Sequence, residues 1–457
     1  MDQISADVVV VGAGVSGLVA AERLARSGYD VVVLEGHERV GGRTLNGELG
    51  GTTVDLGAAF VGPAQHRVIS MLDRFGLQLR PVYDKGRSIS VINGRMGTYR
   101  GTIPKLRPLE MLDYGRVELA FRKVIKKTRV SAPWMSDDAE SIDGISLGGW
   151  LARRRASTTT RKLFATISRV CYGVEPEEIS LMQAARYFSG AGGLDKGLAV
   201  EGGSQQDVIV GGFGSIALAL ARELGGRVRT RQVVRRITTD ADGTLVETDD
   251  MAVRCSFVIV ATQANQRKDI AFRPQLPDNH RLLSQRWRQG ALTKAIVAYP
   301  TAFWREDGLS GSVVNTDGPV FLVFDVGAQE GPGVLMSFVD TRKFDQLDET
   351  ARRELVLSQL ETMFGPRARV PLDYVDHRWA MEEFAAGAPF SIAPPFGLTQ
   401  HGRSLREPVG VIHWAGTDTG DEYVGYVEGA IAGGERAADE VLERLSAAAV
   451  TAARAGG

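Results

Sequence analysis

Between Asp7 and Gly17 the chain reads DVVVVGAGVSG, a valine run followed at once by Gly12, Gly14 and Gly17 in GxGxxG spacing and then by an Ala/Leu-rich helical pattern. A second valine run, VVVLE, ends at Glu35. Strand, glycine turn, helix and a second strand with a terminal acid make a dinucleotide-binding βαβ unit. Gly12 permits the tight turn, Gly14 lets a pyrophosphate approach bare backbone, and Gly17 lets the helix pack close to the strand; Ser16 belongs to the same turn. The helix N-terminus offers free N–H groups and the positive end of its dipole to phosphates. Glu35 is spaced to accept hydrogen bonds from the adenosine ribose hydroxyls. A GxGxxG alone is a common glycine turn. Here the flanking strand, helix and acid agree, and the unit predicts a redox enzyme with a dinucleotide cofactor.

The next residues distinguish between dinucleotides. GHERVGGRT carries Arg39, Gly41, Gly42 and Arg43 directly after Glu35. An NAD unit has no standing need for a glycine pair and an arginine there. FAD enzymes of the glutathione-reductase-like class do, because Arg43 and the nearby backbone meet the cofactor again toward its flavin end. FAD is the expected cofactor; the alternative is a basic surface turn.

These residues need a scaffold, and 457 residues exceed one compact core, so two or more domains are expected. The fold class is α/β: a Rossmann-like FAD-binding domain of glutathione-reductase type, read in the three segments 1–79, 202–285 and 397–457, the last including the C-terminal tail. Residues 80–201, mainly helical, and 286–396, mixed, form an α+β substrate domain with a helical insertion. Within these, HRVISMLDRFGL has helical spacing and stops at Gly76, and SISVING turns at Asn93. The stretch VRTRQVVRRITTDADGTLVETDD reads as strands about Asp242, and VRCSFVIVAT as one buried strand ending at Thr262. TKAIVAYP and GVLMSFVD read as strands, ETARRELVLSQLETMFG and GYVEGAIAGGERAADEVLERL as helices. The tail LSAAAVTAARAGG is expected to fray.

Composition excludes several classes. The 54 basic residues balance 55 acidic ones, which argues against a nucleic-acid partner. The basic segment FRKVIKKTRV reads as the wet face of a helix. Cys171 and Cys255 give no disulfide framework or metal spacing, and six histidines form no ligand pattern, so no metal is expected. No run of about 20 apolar residues could span a membrane, and the first strand begins too early for a signal peptide. The expected protein is soluble and cytoplasmic, without a membrane partner, and a homodimer is the oligomeric expectation.

Taken together, GAGVSG, ERVGGRT, DLGAAFVGPAQHRV, SAPW, GGSQQDVIVGG, FWRE, LTQHGRSLREPVG, HWAGTDT and GYVEGAIAGGERAA resemble the flavin-dependent amine oxidases of the bacterial monoamine oxidase type, almost end to end. The resemblance implies that Gly12, Gly14, Ser16, Gly17, Glu35, Arg39, Gly42 and Arg43 hold the adenosine and pyrophosphate end. It implies that the Val234 backbone meets the adenine, with a one-residue ambiguity in the VV run, and that Trp379 is among the cofactor contacts. Asp418 would bind the ribityl chain. The Val427 N–H, at a helix start, would face the flavin O2 edge, where negative charge develops on reduction. His37 departs from the arginine that monoamine oxidases often carry, which weakens one adenosine contact.

Lys294 in ALTKAIVAY matches the family lysine that hydrogen-bonds through a water to flavin N5. The alternative is a strand-edge lysine reaching solvent, because an ammonium in an apolar strand is costly without a partner. Covalent-flavin members carry a cysteine in register with Ala388, so non-covalent FAD is expected. The family flanks the amine with two aromatic rings that steer it and exclude water. Tyr426 supplies one, unless it merely packs its helix; the other position is Pro389, with Phe390 beside it as the candidate replacement. Gln205, or Gln206 since this loop has an extra residue, and Phe60 would face the substrate. Asp421 and Glu422 either attract a second cationic group or are solvated. Leu322 stands where diamine oxidases use a glutamate, which speaks against putrescine.

The implied reaction is oxidation of an amine C–N bond to an imine, which hydrolyses to aldehyde or ketone, with O2 reduced to H2O2. Lys294 and Tyr426 are the catalytic candidates; the partners are a small amine and O2. Lys294 would organise the N5 water instead of abstracting a substrate proton. The rivals are an L-amino-acid oxidase, with Arg186 as the carboxylate's partner, and an amine dehydrogenase using a carrier protein. A flavoprotein without turnover is a third, and a C–C desaturase a fourth, disfavoured by a mean hydropathy of −0.08 and the lysine-bearing strand.

Overall fold

The computed structural model describes residues 2–387 and 389–455; Ala388, on which the covalent-flavin register falls, lies outside the described residues. Five parallel strands lie at its centre in the spatial order Val228–Arg229, Val31–Leu34, Val8–Val11, Phe257–Val260 and Ile412–Trp414. The three middle strands are buried throughout, which is why they read as continuous valine and isoleucine runs and not as alternating patterns. Val8, Val10, Val31, Val33 and Ile259 pack under helices Val15–Arg26, Gly214–Leu224 and the long C-terminal helix Val427–Ala455. Val9, Val11, Val32, Val258 and Trp414 face a second sheet, ordered Asp2–Ser5, Met251–Cys255, Gly243–Glu247, Arg236–Asp240 and Ala271–Arg273.

A seven-stranded sheet carries the other half of the molecule, in the order Asp373–Arg378, Thr293–Tyr299, Gly333–Val339, Val320–Asp325, Leu309–Asn315, Arg87–Ile92 and Arg95–Tyr99. Helix Glu349–Phe364 covers one face, against Ala295, Val297 and Tyr299. The opposite face, with Ile296 and Ala298, looks toward the parallel sheet through Leu49, Val54 and Leu56. Helices Pro108–Lys127, Thr158–Tyr172 and Leu181–Gly190 form a separate apolar cluster beside it.

Three local expectations change. VRCSFVIVAT is two strands in two sheets, because the N–H groups of Ser256 and Phe257 both turn onto the Asp7 carbonyl, 3.0 and 3.2 Å away. Asp2–Ser5 forms an additional edge strand, pairing in parallel with Met251–Cys255. The last helix does not stop at Leu445 but runs on through Ala455, as its alanine-rich run favours; Gly456 and Gly457 lie outside the described residues.

The glycine turn shows why its spacing is strict. A Cβ on Gly17 would lie 2.0 Å from the Gly12 carbonyl oxygen, whereas one on Gly14 meets nothing within 4 Å. Gly17→Ala should therefore destabilise the apoprotein by about 1–3 kcal/mol through overpacking, while Gly14→Ala leaves its urea midpoint nearly unchanged. Equal effects would contradict this packing.

Candidate active site

One continuous cavity of about 1280 Å³ runs between the parallel sheet, the seven-stranded sheet and the helical cluster. Small-ligand pockets occupy roughly 300–1,000 Å³, so this one has room for a dinucleotide and a second molecule.

At one end lie Gly12, Gly14, Ser16, Glu35, Gly42, Arg43 and Val234. Gly17 does not line the cavity; it packs beneath the turn against Gly12 and Ala261. The first backbone bond of helix Val15–Arg26 is Leu18 N–H to Gly14 C=O (3.0 Å), so the N–H groups of Ser16 and Gly17 have no backbone acceptor among the described residues, with no capping side chain and no acid in the first turn. Glu35 is buried and aimed by two donors, Ala13 N–H at 2.6 Å and His37 N–H at 2.9 Å, with lone pairs to spare. The Val234 N–H and C=O have no hydrogen-bond partner among the described residues. Bare N–H groups at a helix start, a positioned acid and an unpaired backbone edge fit phosphates, ribose and adenine in turn. The Ser16 hydroxyl is used to hold Gly416 N–H (2.8 Å). Arg43 reaches the Pro389 carbonyl; burial pushes its guanidinium below its ordinary pKa, and Asp418 opposes the shift.

In the middle, three successive carbonyls converge. Lys294 is buried and donates to the carbonyls of Asp55 (3.3 Å) and Gly57, and the Trp379 indole N–H donates to Leu56 (2.9 Å). Lys294 stands in phase with Ile296 and Ala298, so strand alternation turns it to the cavity, 5.5 Å from the Phe338 ring. It does not reach solvent as a strand-edge lysine would. Burial pushes its pKa down to about 8, against the pull of Asp55; burial likewise raises the Asp55 carboxyl, opposed by Phe213 N–H at 2.7 Å and by Lys294. Asp55 is the charged group that sequence reasoning missed; its signal was a lone acid in TTVDLGAA.

At the far end Tyr426, Val427, Gln205 and Phe60 all line the cavity. The N–H groups of Val427, Glu428 and Gly429 have no backbone acceptor among the described residues, the first bond being Ala430 N–H to Tyr426 C=O at 3.1 Å. Gln205 gives its Nε2 to the Gly197 carbonyl (3.0 Å), and its buried Oε1 is unpartnered among the described residues. Gln206 instead closes on Gly202 and Asp207, outside the lining. Phe60 meets Phe324 edge-on at 5.0 Å within an apolar cluster that includes Leu322, Val170 and Val200.

Several expected residues stand elsewhere. Phe390 does not face the cavity. It is fully buried under Gly425, whose φ of +90° leaves room where a Cβ would lie 2.6 Å from the Phe390 ring. The ring stacked on Tyr426 is Tyr187, at 5.0 Å and 26°. Asp418 is off the lining too: its carboxylate takes Ser391 N–H (2.9 Å), Ser391 Oγ (2.8 Å) and Ala264 N–H (3.0 Å), which tie down the loop behind the cofactor end. Arg39 holds the Gly42 carbonyl (2.7 Å) and Glu382 (3.1 Å), outside the lining. Arg186, buried, is occupied by the carbonyls of Val130 and Gly420. Glu422 pairs with Arg67, and Asp421 is exposed off the lining.

Over residues 15–442 the chain matches the family described as flavin containing amine oxidoreductase. It belongs to that family. The Mycobacterium tuberculosis protein AofH, named for a flavin-containing monoamine oxidase, is 45% identical over 440 residues, covering 96% of this chain and 97% of its own. Flavin-containing amine oxidase A of Sus scrofa is 32% identical over 449 residues, covering 96% and 85%. Among solved structures, putrescine oxidase bound to putrescine matches with a TM-score of 0.91 at 28% identity, over 96% of this chain and 100% of that one. Cyclohexylamine oxidase from Brevibacterium oxydans IH-35A matches at 0.92 and 27%, over 97% and 100%. The chain is thus an FAD-dependent amine oxidoreductase, the family its motifs resemble.

The buried lysine generates a pH prediction. Folded Lys294 sheds its proton near pH 8, whereas an unfolded lysine keeps it to about 10.4. Between those values the unfolded chain binds more protons, so the folded state gains stability as pH rises. The urea-midpoint difference between wild-type and Lys294→Met apoprotein should move toward wild type from pH 7.5 to 10. A flat difference would contradict a lysine depressed by burial.

Proposed function

We propose that the enzyme oxidises apolar monoamines, with FAD held non-covalently and dioxygen as the electron acceptor, releasing hydrogen peroxide. The observation that carries this reading is the meeting of Lys294, the Val427 helix start and Gln205, whose Oε1 has no partner among the described residues, in one cavity whose walls near Tyr426 are largely aromatic and aliphatic. Bound FAD supplies a hydride acceptor at N5 that O2 then reoxidises. The chain's own residues do the rest.

Gln205 Oε1 accepts from the amine N–H and fixes the nitrogen, its orientation set by the Gly197 bond. Tyr426, backed by Tyr187, is the flat wall against which the amine lies, and together with Phe60 and Phe324 it keeps water out. Lys294 spends two ammonium protons on the Asp55 and Gly57 carbonyls and keeps one for a cavity water. The N–H groups around Val427 stabilise negative charge at the helix start. Glu35 binds ribose and the Val234 backbone binds adenine.

Non-covalent cofactor is supported by the cysteines. Cys171, the cysteine lining the cavity among the described residues, packs with Tyr172 and Tyr187, and burial pushes its thiol up to about 12, leaving it protonated and inert. Cys255 is buried in the packing between the two sheets of the FAD half. Both are free, which accords with a reducing, cytoplasmic setting, and no described helix is long and apolar enough to cross a membrane. The occupied Arg186 favours amines over amino acids, and Leu322 on the lining favours monoamines over diamines.

A peroxide-coupled assay over a panel of amines tests the reading. Arylalkyl and long-chain alkyl monoamines should exceed putrescine in kcat/KM by at least about tenfold, with no turnover of L-amino acids. Preference for putrescine or an amino acid would overturn it. Lys294→Met should keep its flavin but slow turnover at least about tenfold, and Gln205→Leu should raise KM by a similar factor. Wild-type kinetics in either variant would remove that residue from the mechanism.

A further inference from the structure

The segment 382–389, EEFAAGAP, contains no cysteine, and of its described residues Glu383, Phe384, Ala385, Gly387 and Pro389 line one side of the cavity. Glu382 faces the other way. Its carboxylate, only 16% exposed, takes a hydrogen bond from Arg39 Nη2 at 3.1 Å; the Nε2 atoms of His37 and His377 lie 3.2 and 3.1 Å away without making a hydrogen bond among the described residues, and burial pushes the His377 pKa down. These neighbours belong to opposite ends of the cofactor's path. His37 gives its backbone N–H to Glu35, the ribose-side acid, and Arg39 holds the Gly42 carbonyl. His377 packs edge-on against Trp379 at 4.5 Å, and Trp379 is fixed on Leu56.

The rest of the segment is fastened as closely. Phe384 lies over Gly36, where a Cβ would come within 2.9 Å of its ring, and meets the His37 ring edge-on at 5.2 Å. The Ala386 carbonyl accepts from Gln263 (2.9 Å) and Gln289, the Gly387 N–H donates to Trp379 C=O (2.8 Å), and the Pro389 carbonyl accepts from Arg43.

We propose that residues 382–387 form a clasp that retains FAD, with Glu382 as its pin and Phe384 as its pad over the nucleotide half. The inference rests on FAD occupying this cavity. Both are positioning residues: Glu382 acts through Arg39, and Phe384 presses on the Gly36–His37 backbone that follows Glu35. Release of the nucleotide half requires the segment to lift, and lifting it breaks the Arg39–Glu382 ion pair together with the hydrogen bonds of the Ala386 carbonyl and the Gly387 N–H. His37 packs against the clasp, its ring edge-on to Phe384.

The test is the rate of FAD release. Holoenzyme is diluted with an excess of an apo-flavoprotein trap, and the transfer of flavin is followed by fluorescence. Glu382→Ala and Phe384→Ala should each release FAD at least about tenfold faster than wild type. Phe384→Leu, which keeps an apolar side chain and safeguards against misfolding, should fall between. The double variant Arg39→Ala/Glu382→Ala should be less than additive, because both changes remove one contact. Release rates within twofold of wild type in all the single variants would overturn the clasp. Wild-type protein that carries no flavin at all would instead overturn the cofactor reading beneath it, so the two failures are distinct.

Discussion

The carbonyls of Asp55, Leu56 and Gly57 are the joint on which the site depends. They receive Lys294, Trp379 and Lys294 again, and so bind the seven-stranded sheet and the segment after it to the FAD half of the molecule. The joint tolerates little change. A Cβ on Gly57 would lie 2.0 Å from the Arg43 carbonyl oxygen, and the Asp55 carboxylate is already committed to the Phe213 N–H that opens helix Gly214–Leu224. An ammonium buried in a strand is stable only because two carbonyls and a nearby carboxylate meet it. The same contacts hold it at the cavity wall.

From that joint the cavity divides its work by polarity. Toward Glu35 the walls offer backbone N–H groups, an aimed carboxylate and a free backbone edge, which suit a charged nucleotide. Toward Tyr426 they are largely rings and aliphatic chains, with Gln205 among them, which suits an amine carried on an apolar body. Two helix starts, at Val15 and Val427, border the same cavity and favour negative charge there; in the proposed reading they meet the pyrophosphate and the flavin. The protein needs few polar side chains at the reacting end because the cofactor carries the redox chemistry.

What was legible in the sequence was what local rules govern. The glycine turn, the acid closing the second strand, the burial of the valine runs and the Asn93 and Asp242 hairpins each depend on neighbours within a few tens of residues. Long-range packing hid the rest. VRCSFVIVAT looks like one strand because burial on both sheets gives one apolar run; only Asp7, far away in sequence, divides it. Phe390 looked like a cage ring beside Pro389, but Gly425 opens a space behind the wall that it fills, and Tyr187, in a helix whose aromatics read as ordinary core, takes the place facing Tyr426. Asp418 and Arg39 bear the residue types that hold cofactors, yet their hydrogen bonds go to the loops around the cofactor end, a distinction that spacing does not encode.

The central claim is that an amine delivers its electrons to a flavin lying beside Lys294 in this cavity. It is tested most directly by mixing the yellow holoenzyme with an arylalkyl monoamine without air and following absorbance near 450 nm. Rapid bleaching to the reduced flavin, with full recovery and one equivalent of hydrogen peroxide when oxygen is admitted, is the predicted result. A flavin that stays oxidised in the presence of every monoamine would contradict it.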